Sequence, residues 1–158
     1  MGNVEQAAEI FGKTVGNEEE PGSWHKVEQA QINLFADATG DHQFIHVDPE
    51  KAKQTPFGTT VAHGFLTLSL LPFLQATIPA GDPAAYQGLM MGVNYGLNRV
   101  RFPNPVKVDS KVRAKRVLTA VDAVAPNALQ LTQTVTIEIE GEAKPACVAE
   151  FLTRLMYA

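Results

Sequence analysis

Three of the four histidines, His42, His46 and His63, fall within a span of 22 residues, and Asp41 and Asp48 lie beside them. At pH 7 a carboxylate with an ordinary pKa of about 3.9 is ionised, and an imidazole with a pKa of about 6.5 is mostly neutral. An aspartate and a histidine aimed at one point can therefore hold a water molecule and accept its proton. This crowding of titratable groups makes the segment a candidate catalytic site.

The spacing of Asp41 and His46 limits the local structure that could bring them together. Residues five apart are rotated by about 140° on an α-helix and lie on opposite faces of a strand, so in neither element do the side chains converge. We therefore predict that both lie on a loop. The alternative is structural, with Asp41 capping local backbone and His46 half-buried with its ring nitrogens hydrogen-bonded.

Gly64, in the sequence Ala62-His63-Gly64, comes just before a strongly apolar segment. The first N–H groups of a helix lack partners within the helix and carry partial positive charge, and a glycine lets a ligand approach them closely. Gly64 could thus form an oxyanion hole. The alternative is a glycine required only for tight packing.

Other chemistries lack their sequence motifs. The group Asp41, His42, His46 and Asp48 has neither an HExxH pattern nor zinc-ligand spacing, so no metal site is predicted. There is no GxSxG, P-loop or GxGxxG motif. Cys147 is the single cysteine, which excludes an intramolecular disulfide, favours a cytoplasmic protein and indicates an inert core residue.

A row of cations on a predicted strand is a second candidate site. Such side chains could receive the phosphates of coenzyme A or of an acyl-carrier arm, but a solvated strand face is the favoured interpretation. The row comprises Lys107, Lys111, Arg113 and Lys115, with Arg99, Arg101 and Arg116 nearby.

The first half of the chain is predicted to be helical. Apolar residues at helical spacing predict a helix over residues 28–39 that ends at Gly40, where a left-handed cap fits. Asp48 and Pro49 have the types of an N-cap and a first helical residue, so another short helix begins there. Residues 41–47 then form the loop between the two helices. The remaining predictions in this half are a short helix over residues 4–11 and a strand over 24–27.

Seven apolar residues between positions 65 and 74 cover nearly the whole circumference of a helix. This pattern predicts a helix surrounded by protein and shortened or kinked at Pro72. A change of phase near Asn98 indicates a β-bulge. Apolar and polar residues alternate in four segments after Gly81: residues 89–97, 107–115, 131–139 and 147–155. We therefore predict an α+β fold in which an antiparallel sheet wraps around the apolar helix.

Composition limits the class of protein. The 158 residues suffice for one hydrophobic core, and no linker or repeat divides them, so a single domain over residues 1–158 is predicted. The net charge of −4 argues against nucleic acid or an anionic membrane as a partner. No segment has the roughly 18 apolar residues of a spanning helix, and the N-terminus shows no signal-peptide pattern.

The residues from Phe35 to His46, FADATGDHQFIH, with Ala52 six positions later, resemble the signature of the MaoC-like (R)-specific enoyl-CoA hydratases. The resemblance continues through residues 61–64, VAHG, and residues 100–106, VRFPNPV. It implies a hot-dog fold, in which a sheet wraps around a long central helix. It also implies a homodimer whose two sheets join, with acyl-CoA bound near the interface.

The resemblance further implies roles for individual residues. Asp41 and His46 would act on the water that adds to a trans-2-enoyl thioester, and the N–H of Gly64 would bind the thioester oxygen. Gln43 stands where the family commonly has Asn and would orient the water, while Phe44 replaces the family Pro and would line the acyl pocket. No cofactor is expected beyond the coenzyme A of the substrate. The other expected substrate-binding residues are Phe57, His63, Phe65, Arg99 and Arg101.

The expected function is therefore that of a hydro-lyase of fatty acid metabolism, which reversibly hydrates a trans-2-enoyl-CoA to an (R)-3-hydroxyacyl-CoA. Two alternatives stay open. One is a 3-hydroxyacyl-ACP dehydratase of fatty-acid or polyketide synthesis, and the other is a non-catalytic hot-dog subunit that binds acyl chains. The presence of both Asp41 and His46 argues against the non-catalytic subunit.

Overall fold

The computed structural model, which describes residues 2–158, contains an antiparallel sheet of five strands with short helices packed against it. In chain order the elements are α1 (Asn3–Gly12), β1 (His25–Lys26), α2 (Gln29–Thr39), α3 (Phe44–Val47), α4 (Pro49–Ala52), α5 (Gly64–Ser69), α6 (Leu71–Gln75), a 3₁₀ helix (Pro83–Tyr86), β2 (Leu89–Arg101), β3 (Lys111–Ala125), β4 (Ala128–Ile139) and β5 (Cys147–Tyr157). Each helix within residues 2–158 is too short or too polar to cross a bilayer.

The strand order in the sheet is β1-β3-β4-β5-β2, and all neighbouring strands run antiparallel. The first long strand in the chain, β2, thus pairs with the last, β5, and forms an edge of the sheet. The pairing of β2 shifts register between Leu97 and Arg99, which confirms the predicted bulge near Asn98. The alternating segments 89–97, 131–139 and 147–155 lie within β2, β4 and β5, whereas the segment 107–115 overlaps β3 only over residues 111–115, because residues 107–110 form a turn and β3 continues to Ala125.

The apolar central segment forms two successive helices, α5 and α6, rather than one unbroken helix. Pro72 lies in the first turn of α6, and because it has no N–H it cannot donate to the carbonyl one turn earlier. Leu71 and Leu74 pack in the core at 2% and 0% exposure. Phe65 and Phe73, in contrast, are 69% and 52% exposed, so this chain alone does not enclose the helical segment on all sides.

The helix boundaries around the candidate site follow the sequence signals. Helix α2 ends at Gly40, whose φ of 82° is left-handed, and the N–H of Gly40 donates to the carbonyl of Ala36 at 2.8 Å. Asp48 caps α4 by accepting from the N–H of Lys51 at 3.1 Å. The short helix at residues 4–11 and the strand at 24–27 correspond to α1 and β1.

The prediction that residues 41–47 are entirely a loop is wrong. Phe44–Val47 forms a one-turn helix, α3. It is closed by hydrogen bonds from the N–H of His46 to the carbonyl of Gln43 at 2.9 Å and from the N–H of Asp48 to the carbonyl of Phe44 at 3.0 Å. A single turn of four residues is too short to leave a periodic pattern in the sequence, so only Asp41 to Gln43 remain as loop.

Two apolar clusters fill the interior. The larger one joins α5 and α6 to the sheet, and the smaller one lies beneath α1 and includes Ala7, Phe11, Leu129 and Tyr157. Cys147 belongs to the larger cluster with no exposed surface, and burial raises the pKa of its thiol to about 11. This thiol stays protonated at neutral pH, which agrees with an inert core residue.

Candidate active site

His46 lies on α3 with 7% of its surface exposed. Its Nδ1 is 2.6 Å from the backbone carbonyl of Val61. A carbonyl oxygen only accepts hydrogen bonds, so in the neutral ring Nδ1 carries the proton and Nε2 keeps a free lone pair. Burial lowers the pKa of His46, although the hydrogen bond to Val61 opposes the shift. At pH 7 His46 is therefore a neutral acceptor at Nε2.

His63 lies against His46, with ring centroids 3.8 Å apart and ring planes at 23°. Its Nε2 donates to the backbone carbonyl of Asp41 at 2.9 Å. Its Nδ1 is buried and has no hydrogen-bond partner within residues 2–158. The ring of Phe35 lies 4.9 Å from that of His63. His63 therefore joins the loop of Asp41 to the ring of His46 and presents an unpaired acceptor beside it.

Asp41 completes the cluster. One carboxylate oxygen of Asp41, one ring nitrogen of His46 and one ring nitrogen of His63 lie within 4.8 Å of one another. Two atoms that share one water at hydrogen-bond distances of about 2.8 Å can be as much as roughly 5.6 Å apart. The spacing of the three atoms is thus short enough for one water to bridge two of these groups. Asp41 is exposed, and its Oδ1 accepts from the N–H of Gln43 at 3.3 Å, so Asp41 also caps local backbone.

Gly64 follows His63 directly and is the first residue of α5, where the backbone N–H has no partner within the helix. A Cβ on this residue would lie 3.1 Å from the ring of Phe102. Phe102 in turn meets Phe65 edge to face, with centroids 6.3 Å apart. Both interpretations of Gly64 thus have support, because its N–H donates no hydrogen bond within residues 2–158 and its lack of a side chain lets Phe102 pack closely.

The other predicted site residues differ in their exposure and in whether they contact this cluster. Gln43 is exposed at the N-cap of α3, and Phe44 beside it is 42% exposed. Arg101 is exposed on β2 directly before Phe102, whereas Arg99 lies two residues further back. Phe57 is half-buried between α4 and α5. Within residues 2–158, the aromatic and hydrogen-bond contacts do not connect Phe57 or Arg99 to Asp41, His46 or His63.

The group Asp41, His42, His46 and Asp48 is not gathered at one point. His42 instead pairs with Asp37, 2.8 Å from its Nε2, and this hydrogen bond raises the pKa of His42. Asp48 caps α4. The structure instead brings His63 together with Asp41 and His46. The carboxylate oxygen and the two imidazole nitrogens of this cluster are atom types that can also bind a metal ion.

Two contacts in the candidate site were not predicted from the sequence. His63 was expected only to contact substrate, whereas it contacts both Asp41 and His46. Phe102 was not singled out as a neighbour of Gly64. Both contacts join residues far apart in the chain, so no local pattern could have revealed them.

Lys111, Arg113 and Lys115 of the cationic row lie on β3 and each is near an acidic side chain, whereas Lys107 precedes the strand. Arg113 and Lys115 lie 2.7 and 3.0 Å from the carboxylate of Glu138. Burial alone would raise the pKa of Glu138, but hydrogen bonds from these two cations lower it. Arg116 makes two hydrogen bonds to Glu19. This pairing agrees with an ion-paired, solvated strand face rather than with an open phosphate site.

Comparison with known proteins gives concordant results. Residues 10–140 match the family model described as MaoC like domain. The chain is 49% identical over 152 residues to 3-hydroxyacyl-thioester dehydratase Z of Mycobacterium tuberculosis, covering 96% of this chain and 95% of that protein. It is 47% identical over 144 residues to nodulation protein N of Rhizobium leguminosarum bv. viciae, covering 90% and 87%.

The fold is also that of solved structures. The chain superimposes on the (R)-hydratase from A. caviae involved in PHA biosynthesis with a TM-score of 0.63 and 25% identity, covering 85% of this chain and 95% of that one. The sheet order and the two central helices thus correspond to a hot-dog fold, as the sequence predicted.

Proposed function

This chain belongs to the MaoC-like domain family and shares its hydro-lyase chemistry on 3-hydroxyacyl thioesters. We propose that its reaction is the reversible hydration of a trans-2-enoyl-CoA to an (R)-3-hydroxyacyl-CoA. The observation that carries this proposal is the cluster of Asp41, His46 and His63, in which a carboxylate oxygen and two ring nitrogens lie within 4.8 Å of one another. The cluster lies next in sequence to the free N–H of Gly64.

In the proposed mechanism, the Asp41 carboxylate and Nε2 of His46 hold the attacking water. The water loses a proton to this pair as its oxygen bonds to Cβ of the enoyl group, and the electrons of the double bond move toward the thioester. The N–H of Gly64 binds the thioester oxygen, where negative charge develops. One such donor typically contributes about 2.7–4 kcal/mol of transition-state stabilisation. The proton held by the pair then returns to Cα, so no other reactant is consumed.

The surrounding residues have supporting roles in this proposal. Gln43 donates its backbone N–H to Asp41 and orients the water with its side chain. The aromatic rings of Phe44, Phe57 and Phe65 contact the acyl chain near its thioester end. His63 orients the loop of Asp41 and contacts the reacting end of the substrate. Arg99 and Arg101 bind the phosphates of coenzyme A, which is the substrate's own carrier, and no separate cofactor takes part.

We also propose a homodimer formed through β2. This strand is an edge of the sheet and exposes a row of large apolar side chains: Met91, Val93, Tyr95 and Leu97. A long edge strand with an apolar face pairs readily with another chain, and a second copy of β2 is complementary to it in an antiparallel arrangement.

The direct test is an assay of the purified protein with trans-2-enoyl-CoAs of several lengths, following loss of the conjugated double bond and the chirality of the product. We expect Asp41→Asn to lower kcat by about 10²- to 10⁴-fold, because the amide cannot accept the proton of the water. Its fold should persist, since Asp41 is exposed. Asp37→Asn is the matched control, because Asp37 is an exposed aspartate that pairs with His42.

Each result of this assay has a defined meaning. Formation of the (R) product, lost in Asp41→Asn and kept in Asp37→Asn, supports the proposal. Turnover of acyl-ACP but not of acyl-CoA contradicts the proposed carrier and favours the ACP dehydratase. No turnover of either substrate favours the non-catalytic subunit. Loss of activity on adding a chelator would replace the metal-free mechanism with one in which Asp41, His46 and His63 hold an ion.

A further inference from the structure

A cavity of about 350 Å³ lies between α1, the 3₁₀ helix, α6 and the sheet. We call it the distal chamber and define it by Phe11, Gln75, Tyr86, Leu131 and Gln133, which are among its lining residues. None of its lining residues belongs to the cluster of Asp41, His46 and His63 or is Gly64. The mechanism proposed above leaves this chamber without a role.

A second cavity shares lining residues with the chamber and is also lined by residues of α5. This groove, of about 340 Å³, lies between the two central helices and β2, and Leu68, Leu71 and Leu97 are among its lining residues. The groove and the distal chamber share three lining residues: Pro72, Asn94 and Phe151. The two cavities therefore lie next to each other along α5 and α6.

The length of this path can be set against the length of an acyl chain. Leu68 in the groove and Pro72 at the chamber lie four and eight residues after Gly64, which at 1.5 Å of helical rise per residue is about 6 and about 12 Å. An extended covalent chain advances roughly 1.2 Å per bond, judged from the polypeptide backbone. An acyl chain that starts at Gly64 and runs alongside these helices is thus level with the chamber after about ten bonds.

The polar groups in the chamber indicate which chemical group the distal end of the acyl chain carries. Gln75 is 8% exposed, and its Nε2 donates to Oε1 of Gln133 at 3.0 Å. Oε1 of Gln75 and Nε2 of Gln133 form no hydrogen bond within residues 2–158, and both side chains line the chamber. The pair thus offers one acceptor and one amide donor to a ligand. Gln75 is buried and Gln133 is half-buried, so the free amide atoms of the pair favour a partner that hydrogen-bonds to them.

The charges around the chamber favour a neutral group. Arg116 lines the chamber, but its guanidinium makes hydrogen bonds of 2.7 and 3.0 Å to both carboxylate oxygens of Glu19. Its charge is therefore compensated. Asp82 also lines the chamber and adds a negative charge. A ligand ending in a carboxylate would meet this charge without a free cation to balance it.

We propose that the substrate carries an acyl chain long enough to reach the distal chamber and bears there a neutral hydrogen-bonding group, such as a hydroxyl, a ketone or an amide, bound by Gln75 and Gln133. This inference rests on the proposed hydration of an enoyl thioester, because it places the thioester at Gly64. It deepens that proposal by naming the class of acyl group.

The test compares two matched pairs of substrates on the wild-type protein. One pair is trans-2-dodecenoyl-CoA with its 12-hydroxy derivative, and the other is trans-2-hexenoyl-CoA with its 6-hydroxy derivative. A hydrogen bond contributes about 0.5–1.5 kcal/mol, so we expect kcat/KM to be roughly twofold to tenfold higher for the hydroxylated twelve-carbon substrate. In the six-carbon pair the hydroxyl ends in the groove, short of Gln75 and Gln133, and we expect no such gain.

A double variant tests the two glutamines. Gln75→Leu with Gln133→Leu removes both partners and leaves no orphaned amide. We expect the preference for the hydroxylated twelve-carbon substrate to disappear. Gln87→Leu is the matched control, because Gln87 is exposed beyond the 3₁₀ helix and does not line the chamber, and it should keep the preference. If the double variant does not fold, the wild-type comparison decides by itself.

The outcomes separate this inference from the proposed function. If no enoyl-CoA is hydrated, the proposed function fails. If both twelve-carbon substrates are hydrated equally well, or if the six-carbon pair shows the same gain, the distal chamber does not bind the end of the chain, while the proposed function stands. A preference that survives in a folded double variant overturns the assignment to Gln75 and Gln133.

Discussion

Two stacked imidazoles in the candidate active site present opposite tautomers. His46 is protonated on Nδ1 because it donates to the carbonyl of Val61, and His63 is protonated on Nε2 because it donates to the carbonyl of Asp41. In each ring one backbone oxygen fixes the proton and leaves the other nitrogen as an acceptor. Backbone atoms, which no side-chain substitution removes, thus set the proton-accepting character of the site.

The lowered pKa of His46 predicts the pH dependence of the reaction. Burial disfavours the charged ring, so His46 stays neutral below its ordinary pKa of about 6.5 and remains able to hold the water. We therefore expect kcat/KM to stay constant as the pH falls through about 6.5 and to decline only at lower pH. The measurement is kcat/KM against pH, which reports ionisations of the free enzyme.

His42→Gln is the control for this profile. The pKa of His42 is raised by its hydrogen bond to Asp37, so its titration would produce a change above pH 6.5 if it mattered for activity. Because His42 is exposed and turned to Asp37, we expect the substitution to leave the profile unchanged. An acid limb centred above the ordinary histidine pKa would contradict the neutral, buried His46.

The contact between the segment before β1 and the end of α6 depends on a glycine. A Cβ on Gly22 would collide with Oγ1 of Thr77 and lie 3.0 Å from the carbonyl of Leu74. Backbone atoms cannot turn aside as a side chain does, so we expect Gly22→Ala to lower the free energy of unfolding by about 1–3 kcal/mol. Denaturant unfolding measures this change.

Gly12→Ala is the matched substitution at the end of α1. A Cβ there has no neighbour within 4 Å, and alanine favours helix more than glycine does. We expect this variant to be as stable as the wild type or slightly more stable. Equal free energies of unfolding for Gly22→Ala and Gly12→Ala would contradict this prediction. They would show that the backbone around Gly22 shifts at little energetic cost to accommodate a Cβ.

The elements that the sequence predicted correctly have strong local signals. Gly40 adopts the left-handed conformation that ends α2, Asp48 caps α4, and Pro72 interrupts the central helices. The alternation of apolar residues located the four long strands. Each of these signals acts through the backbone or the nearest turn. The one-turn helix α3 is too short to leave a periodic pattern, and the pairing of β1 with β3 depends on residues far apart in the chain, so neither had such a signal.

The same division applies to the candidate site. The resemblance pointed to Asp41 and His46 from a short stretch of sequence, and the structure places an oxygen of one near a nitrogen of the other. The stack of His63 on His46 joins residues on two different elements, and the chamber around Gln75 and Gln133 joins a helix to a strand. Only the tertiary fold creates these contacts, so the sequence could not reveal them.

The exposed apolar face of β2 leads to a prediction about the proposed homodimer. Val93 is 42% exposed on this edge strand, and we expect Val93→Lys to convert the proposed dimer to a monomer, because a desolvated charge opposes association. Analytical ultracentrifugation over a range of concentrations measures the change. Val124→Lys is the control, since Val124 is 40% exposed on β3. A monomeric wild-type protein would contradict the dimer.

The position of β2 in the sheet also has a consequence for synthesis on the ribosome. Strand β2 is made before β3 and β4, yet its strand partner, β5, is made after them. The hairpin of β3 and β4 can form while translation continues, but β2 stays without a partner until β5 emerges. Its apolar residues are then open to wrong pairing or to a chaperone throughout that interval. Misfolding of this protein is thus most favoured during the interval between the synthesis of β2 and the synthesis of β5.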